Sequence, residues 1–235
     1  MKFIVAKEFF DKVPNAYFGV VVVKNFNNKK QYSFINEMLN ESITKCQKEY
    51  ENVKVKESEN IIPYREAFLN LGINPNKYLC SIEALLTRLS KGNSIPSINP
   101  IVDLGNALSI KYSLPIGAHD IDNFSTDSIE IRTAVETDEF VPFGSEEIET
   151  PEVGEIVYAS SKDIKTRRWT WRQGEKSKIT ENTTNIFYPI DGFKDINEAK
   201  VKELQSELVS ILKDKLNLEV ITGYVDKDHP VFEWK

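Results

Sequence analysis

The chain has 235 residues, 40% hydrophobic and 28% charged, the proportions of an ordinary globular protein rather than a disordered one. Its formal net charge of -6 argues against a sequence-independent nucleic-acid coat and against binding to a membrane surface, so an RNA partner has to be met by a local basic patch. No apolar run approaches the ~18 residues of a membrane span, and MKFIVAKEFFDK lacks an apolar stretch followed by a small-residue cleavage site. The expectation is a protein neither secreted nor membrane-spanning.

In chain order, Phe3 to Val5 and Tyr17 to Phe26, with its run Val20 to Val23, read as strands. A long amphipathic helix follows, with Ile35, Met38, Leu39, Ile43, Cys46 and Tyr50 on one stripe. A second helix is expected to begin at Asn74-Pro75, to carry Leu79, Ile82, Leu85, Leu86 and Leu89, and to stop near Gly92. A loop with Pro96 and Pro100 leads to a shorter helix around Val102 to Tyr112. Beyond Pro115 the chain is strand-rich, with Ile129 to Ala134, Glu155 to Ser160, Arg168 to Gln173 and Asn185 to Ile190. Ile196 to Leu216 reads as an amphipathic helix and Glu219 to Val225 as a last strand. Helices and strands mix without regular alternation, which favours an α+β fold over a doubly wound sheet. No repeat or linker divides the chain, and a single domain over residues 1–235 is the simplest account. Cys46 and Cys80 fall inside apolar helical patterns at no metal-ligand spacing, as reduced core residues of a cytoplasmic protein do.

Most catalytic signatures are missing. There is no GxSxG elbow, Walker loop, HExxH, dinucleotide fingerprint or paired-cysteine site. His229 lies in the polar segment KDHPVF and reads as solvated. His119, in LPIGAHDID, has two aspartates nearby, and on local grounds it is either a satisfied structural histidine or an acid-base group. Asp120 and Asp122 alternate along a strand but lack a third ligand, so no metal is expected, and no cofactor.

The stretch RRWTWRQGEKSKITENTTN, Arg167 to Asn185, carries the densest chemistry. From Lys162 to Lys178 there are seven Lys or Arg (162, 165, 167, 168, 172, 176, 178) against two acids, Asp163 and Glu175. If the segment is extended, Trp169, Trp171 and Gln173 share one face while Arg168, Thr170 and Arg172 share the other. Two readings stay open on the residues alone. One is a phosphate-facing surface in which Arg167, Arg168 and Arg172 meet RNA; the other is a surface strand with arginines lying over tryptophan faces. The tryptophans likewise either wall a pocket, or stack on a base, or pack the core.

Two blocks with shared spacing carry a family resemblance. Between Pro96 and Asp122, Ile98-Asn99, Val102-Asp103 and Asn106 match the pattern PINxVVDxTN, and Pro115, Ala118 and Asp120 match PLHAFD. Further on, Gly174-Glu175, Ser177, Ile179, Thr183, Asn185 and Ile186 fall at the spacing of GGExSGV followed by ETxNVLLE. The chain therefore resembles the B3/B4 tRNA-binding editing domain of the phenylalanyl-tRNA synthetase beta chain over roughly residues 60–193. Residues 1–59 form a strand-helix extension, and 194–235 a helix and strand outside the resemblance. The stretch RRWTWRQ is similar to one found in freestanding proteins built around this module alone.

The resemblance implies a single α+β domain of the editing-module type, a mixed sheet with flanking helices. It implies binding of a tRNA or aminoacyl-tRNA 3′ end and of a small amino acid, and hydrolysis of a mischarged ester. Asn106 would lie in the amino-acid pocket, and Glu175 would correspond to the glutamate that recognises a tyrosine hydroxyl. The chain departs from the family at two points. The histidine of PLHAFD falls on Gly117, with His119 at the phenylalanine position, and the threonine before Asn106 is Gly105. His119 and Glu175 are the candidate catalytic residues, with Asn106, Gly117, Trp169, Trp171 and Gln173 as substrate contacts. The alternative is a non-catalytic amino-acid or RNA-binding module that has kept the pocket.

Overall fold

The computed structural model describes all residues from Met1 to Lys235. Strand β1 (Lys2–Val5) and a helical turn α1 (Lys7–Phe10) lead into β2 (Ala16–Lys24), whose residues from Ala16 to Val23 are all buried. A strand apolar on both faces must be covered on both, and it is. Phe18 points to an aromatic layer shared with Phe3, Phe9 and Trp169, whereas Gly19 lies under Val201 of α6 (Glu198–Ser210).

Two sheets enclose that aromatic layer. In the first, β10 (Val231–Glu233), β1, β4 (Ser128–Thr133), β5 (Ile156–Ser160), β6 (Asp163–Arg167) and β7 (Arg172–Gln173) lie in that order. It is mixed, because β1 and β4 run parallel with Phe3 opposite Ile129, and the other pairs are antiparallel. In the second, β3 (His119–Asp120), β8 (Ile186–Phe193), β2 and β9 (Glu219–Asp226) pair antiparallel throughout. Helices α2 (Ser33–Glu49), α4 (Ser81–Ser90) and α5 (Pro100–Tyr112) pack together, and α6 lies across β2 and β8. The architecture is thus α+β with a mixed sheet and flanking helices. One apolar cluster of 54 buried residues runs from Phe3 to Trp234, so both terminal segments share the core of the central part.

Three expectations are corrected. A helix α3 (Ile62–Asn70), with Pro63 in its first turn, was not legible because its apolar stripe is short. The helix expected from Asn74 starts only at Ser81; Asn74 instead closes a turn through Oδ1 to Asn76 N, and Tyr78 to Cys80 run non-helical so that Ser81 N reaches Thr170 O at 2.8 Å. The strand expected over Arg168 to Gln173 is a hairpin: β6 ends at Arg167, residues 168–171 turn, and β7 begins at Arg172. The final helix gives way to a π-helical turn over Ile211–Lys215. No helix is long and apolar enough to cross a membrane. Cys46 and Cys80 are buried and free, and burial pushes their thiols up to about 11 and about 12.

Candidate functional site: an apolar pocket with a polar inner chamber

Helix α5 is fastened at its start by the residues of the first block. Asn99 caps it by accepting from Val102 N at 3.1 Å, Pro100 occupies the first turn, and Asp103 reaches back to accept from Ile98 N (2.9 Å) and Ser97 Oγ (2.5 Å). This reciprocal capping fixes the helix entry. It sends Ile101, Leu104 and Leu108 into the core while Val102, Gly105 and Asn106 line a pocket of about 460 Å³. Ile116, Ala118 and Ile179 supply apolar wall opposite, and Gln173 and Lys178 the polar remainder. A Cβ at Gly105 would meet nothing nearer than Tyr188 Cε1 at 3.8 Å, so the glycine widens this pocket without being required by packing.

The latter half of the first block places the imidazole. Gly117 N donates to Pro189 O and His119 pairs with Phe187, which docks the segment onto β8. A Cβ at position 117 would lie 3.0 Å from His119 Nε2, so the imidazole of residue 119 takes up the space beside position 117. His119 is 2% exposed, stacks on Tyr158, and leaves Nδ1 without a hydrogen bond. Burial, with Lys165 nearby, pulls it down to about 3, so it is neutral near pH 7.

The hairpin turn sends its two tryptophans apart. Arg168 and Trp169 both adopt left-handed backbone, φ 46° and 58°. Such a pair of non-glycine residues carries ~1–3 kcal/mol of strain each, and the tertiary contacts of the turn hold it. Trp169 is fully buried against Phe9, Phe18, Tyr64, Phe68 and Phe193. Its Nε1 donates to Asp191 Oδ1 at 2.6 Å, and Tyr158 OH donates to the same oxygen at 2.8 Å. Asp191 is 2% exposed, and burial pushes its carboxyl up to about 7 despite those two donors. Trp171 is half-buried and meets the Tyr78 ring edge-on at 4.8 Å.

Beside that pocket is a smaller, partly open chamber of about 90 Å³, lined by Ser81, Gly117, His119, Thr170, Trp171 and Asp191 among others. Ile116 and Gln173 line both spaces, and both also border a groove along α4 that includes Asn106 and Ser81. Gln173 Nε2 donates to Ala118 O (2.8 Å) and Ser177 O (3.1 Å), which fixes it on the wall between them.

The structure therefore brings Asn106, Gly117, His119, Trp171 and Gln173 into one concave region, whose inner end Trp169 also borders from within the core. The cationic face is corrected. Arg167 makes a bidentate pair with Glu155 (2.9 and 2.8 Å) and a third bond to Glu149, and Arg168 lies 3.1 Å from Glu155 with its guanidinium 4.0 Å from the Tyr78 ring centre. Both are under 9% exposed. Desolvating a guanidinium requires a paired acid, and Glu155 provides it, so these charges are neutralised inside the protein. Only Arg172 of the three is half-exposed and without an ion pair.

Glu175 lies outside the pocket lining. It accepts from Gly144 N and from Lys178 Nζ, each at 3.0 Å, and the Gly144 bond, with Lys178, holds its carboxyl below the ordinary range. It thereby braces the pocket's Lys178 and the loop carrying Phe143. Asp120 accepts from Thr183 Oγ1 (2.6 Å) and Asp122 N, Asp122 accepts from Asn185, and no three ligand-type side chains converge to hold a metal.

Sequence reasoning missed Asp191, Tyr158, Thr170 and Ser81. Asp191 had a signal: a lone acid within the apolar strand IFYPIDGF, a pattern that marks a buried polar group.

Comparison with known proteins gives three results. A solved N-terminal fragment of the phenylalanyl-tRNA synthetase beta-subunit from Pyrococcus horikoshii is similar at 11% identity and a TM-score of 0.49, covering 94% of this chain and 53% of that one. The chain thus spans about half the length of that fragment. No curated protein matches the sequence significantly. The pattern of the B3/4 domain matches residues 63–213, from α3 through α6. The chain belongs to the B3/4 domain family.

Proposed function

We propose that the protein binds the aminoacyl end of a charged tRNA and hydrolyses a mischarged ester in trans. The observation that carries this reading is the apolar pocket between α5 and Ile179, which shares Ile116 and Gln173 with a small chamber bordered by a neutral imidazole. An amino-acid side chain suits the apolar part, and the ester carbonyl then lies toward Gln173 and His119. A water oxygen bonds to the carbonyl carbon and one water proton passes to the ribose oxygen as the ester C–O bond breaks, with the weakly basic His119 orienting that water as a hydrogen-bond acceptor. An aminoacyl ester is already labile, so orientation and a few hydrogen bonds supply a useful rate without a covalent nucleophile. In this reading Arg172, Lys178 and the Arg88 and Lys91 side of the groove meet the terminal phosphates. Glu175 acts through Lys178 and the Phe143 loop.

Purified protein is incubated with a full set of aminoacyl-tRNAs. The reading predicts faster deacylation than buffer for at least one, lost in His119→Ala; buffer rates throughout contradict it. A second reading, a non-catalytic amino-acid-binding module, draws support from the internal neutralisation of Arg167 and Arg168 in a chain of net charge -6. It predicts a free amino acid that raises the melting temperature while no ester is cleaved.

A further inference from the structure

Helix α4 separates two hollows in the surface, and their charge is opposite to that of the chain. One, about 710 Å³, is the groove that reaches Asn106 and Gln173; its charged residues are Arg88 and Lys91, with no acid. The other, about 330 Å³, is lined by Lys54, Lys56, Arg65 and Lys91 among others, and its single acid is Glu83. Leu79, Thr87 and Lys91 border both, so the hollows adjoin across the outer ridge of the helix. Together they carry five cations against one acid in a chain of net charge -6.

The pairing of these groups decides which charges are free to meet a ligand. Glu83 is buried and takes up Arg65 at 2.6 Å, so that pair closes on itself. Lys54 has the exposed Glu57 at 3.3 Å, a solvated pair that holds it weakly. Lys56, Arg88 and Lys91 are exposed and make no ion pair, and Arg88 Nε donates to Ser94 O, which holds its guanidinium at the groove. The 3-10 turn Val55–Glu57 packs against α4 with Val55 buried in the common core, and Lys54 and Lys56 stand at the rim. Half-buried Leu79 and Leu85 add apolar surface beside the cations.

Cations that no carboxylate of the chain answers, set beside apolar side chains, suit a ligand with repeated negative charges and flat faces, which is a nucleic-acid single strand. From Ser81 to Lys91 the helix axis covers ~15 Å, against ~3.4 Å per nucleotide of a stacked strand, so several nucleotides fit rather than one phosphate. A duplex is too stiff to turn from one hollow into the other over that length.

We propose that the two hollows flanking α4 form the track of a single-stranded RNA end, with Lys56, Arg88 and Lys91 on its phosphates. The direction of the strand, its 3′ end toward Gln173, rests on the aminoacyl reading above; the binding of the strand does not. Lys54 and Lys56 precede residues 63–213, so the amino-terminal extension builds part of the track outside the family domain.

Fluorescence anisotropy measures binding of a short labelled RNA that ends in CCA and carries no amino acid, so that no ester enters the assay. Lys56→Gln/Lys91→Gln is compared with Lys12→Gln/Lys227→Gln, which removes equal charge from exposed lysines lining neither hollow. The first pair is expected to weaken binding ~tenfold and to flatten the dependence of log Kd on log salt by roughly 0.7 per lost contact, while the second leaves both near the wild type. Equal weakening by the two pairs, an unchanged salt slope in the first, or no binding of the RNA by the wild type overturns the proposal. So does a polyglutamate peptide or an RNA duplex that competes as well as the single strand. Should the RNA bind through Lys56 and Lys91 while no aminoacyl-tRNA is deacylated, the track stands and the hydrolytic reading fails.

Discussion

Asp191 and His119 both border the small chamber, and their titrations run in opposite directions. The Asp191 carboxyl, raised to about 7, stabilises the fold in its protonated form; that contribution is complete below the unfolded value near 4 and is lost as pH rises to about 7. His119, lowered to about 3, contributes above its unfolded value near 6.5, and this is lost as pH falls toward 3. Tyr158, raised by burial and by Asp191, stays protonated across the window, and Lys165 is the cation that acts on His119. Asp191→Asn removes one of the two titrations and keeps the side-chain oxygen that Trp169 and Tyr158 bond. The variant should therefore gain stability on the wild type by up to ~1.4 kcal/mol per pH unit between about pH 4 and 7. Urea denaturation at three pH values measures this, and a difference that does not change with pH contradicts the environment described for Asp191. Gly105 gives a second test at this scale. Gly105→Ala fills pocket space with no close contact and should raise stability by ~0.5–1 kcal/mol, while weakening any ligand of the outer pocket. A loss of stability would show that the helix packs more tightly there than the 3.8 Å clearance indicates.

At the scale of elements, the β6–β7 hairpin organises the site. Its turn holds two left-handed non-glycine residues, pushes Trp169 into the core, and leaves Trp171 and Gln173 on the chamber wall. Glu155, the residue before β5, anchors it by accepting from Arg167 and by pairing with Arg168. Glu155→Ala leaves two buried guanidiniums without their shared acid and should destabilise by ~3–5 kcal/mol. A chemical-denaturation midpoint unchanged from wild type would show the pairs to be solvated. The hairpin also marks the limit of what the sequence conveyed. Alternation along RRWTWRQ suggested an extended strand with a basic face, because the charge pattern of a surface strand and that of a buried ion-pair network look alike. The separating information lay at Glu149 and Glu155, distant along the chain and in a region with no motif. The α5 helix was legible for the opposite reason: Asn99, Pro100 and Asp103 make local capping contacts within a few residues, and the helix they start carries Asn106 on the lining of a cavity.

Over the whole molecule, the α+β class and most strands followed from periodicity, since buried stripes and alternations are local properties of sequence. The pairing of two sheets around an aromatic layer was not legible, because it depends on contacts such as Phe3 with Phe187 and Phe9 with Trp169. The core that joins Phe3 to Trp234 supports one cooperative unit over residues 1–235, which we propose as the domain organisation. Tryptophan fluorescence and far-ultraviolet circular dichroism should then give coincident unfolding curves, and separate transitions would divide the chain.

The central claim is that the pocket between α5 and Ile179 receives an aminoacyl group at the end of a tRNA. A crystal structure with an amide-linked 3′-aminoacyl-adenosine, which cannot be hydrolysed, tests it most directly. The account predicts the side chain among Val102, Ile116 and Ile179 and the carbonyl beside Gln173. An analogue that binds elsewhere on the surface, or no complex at saturating concentration, contradicts it.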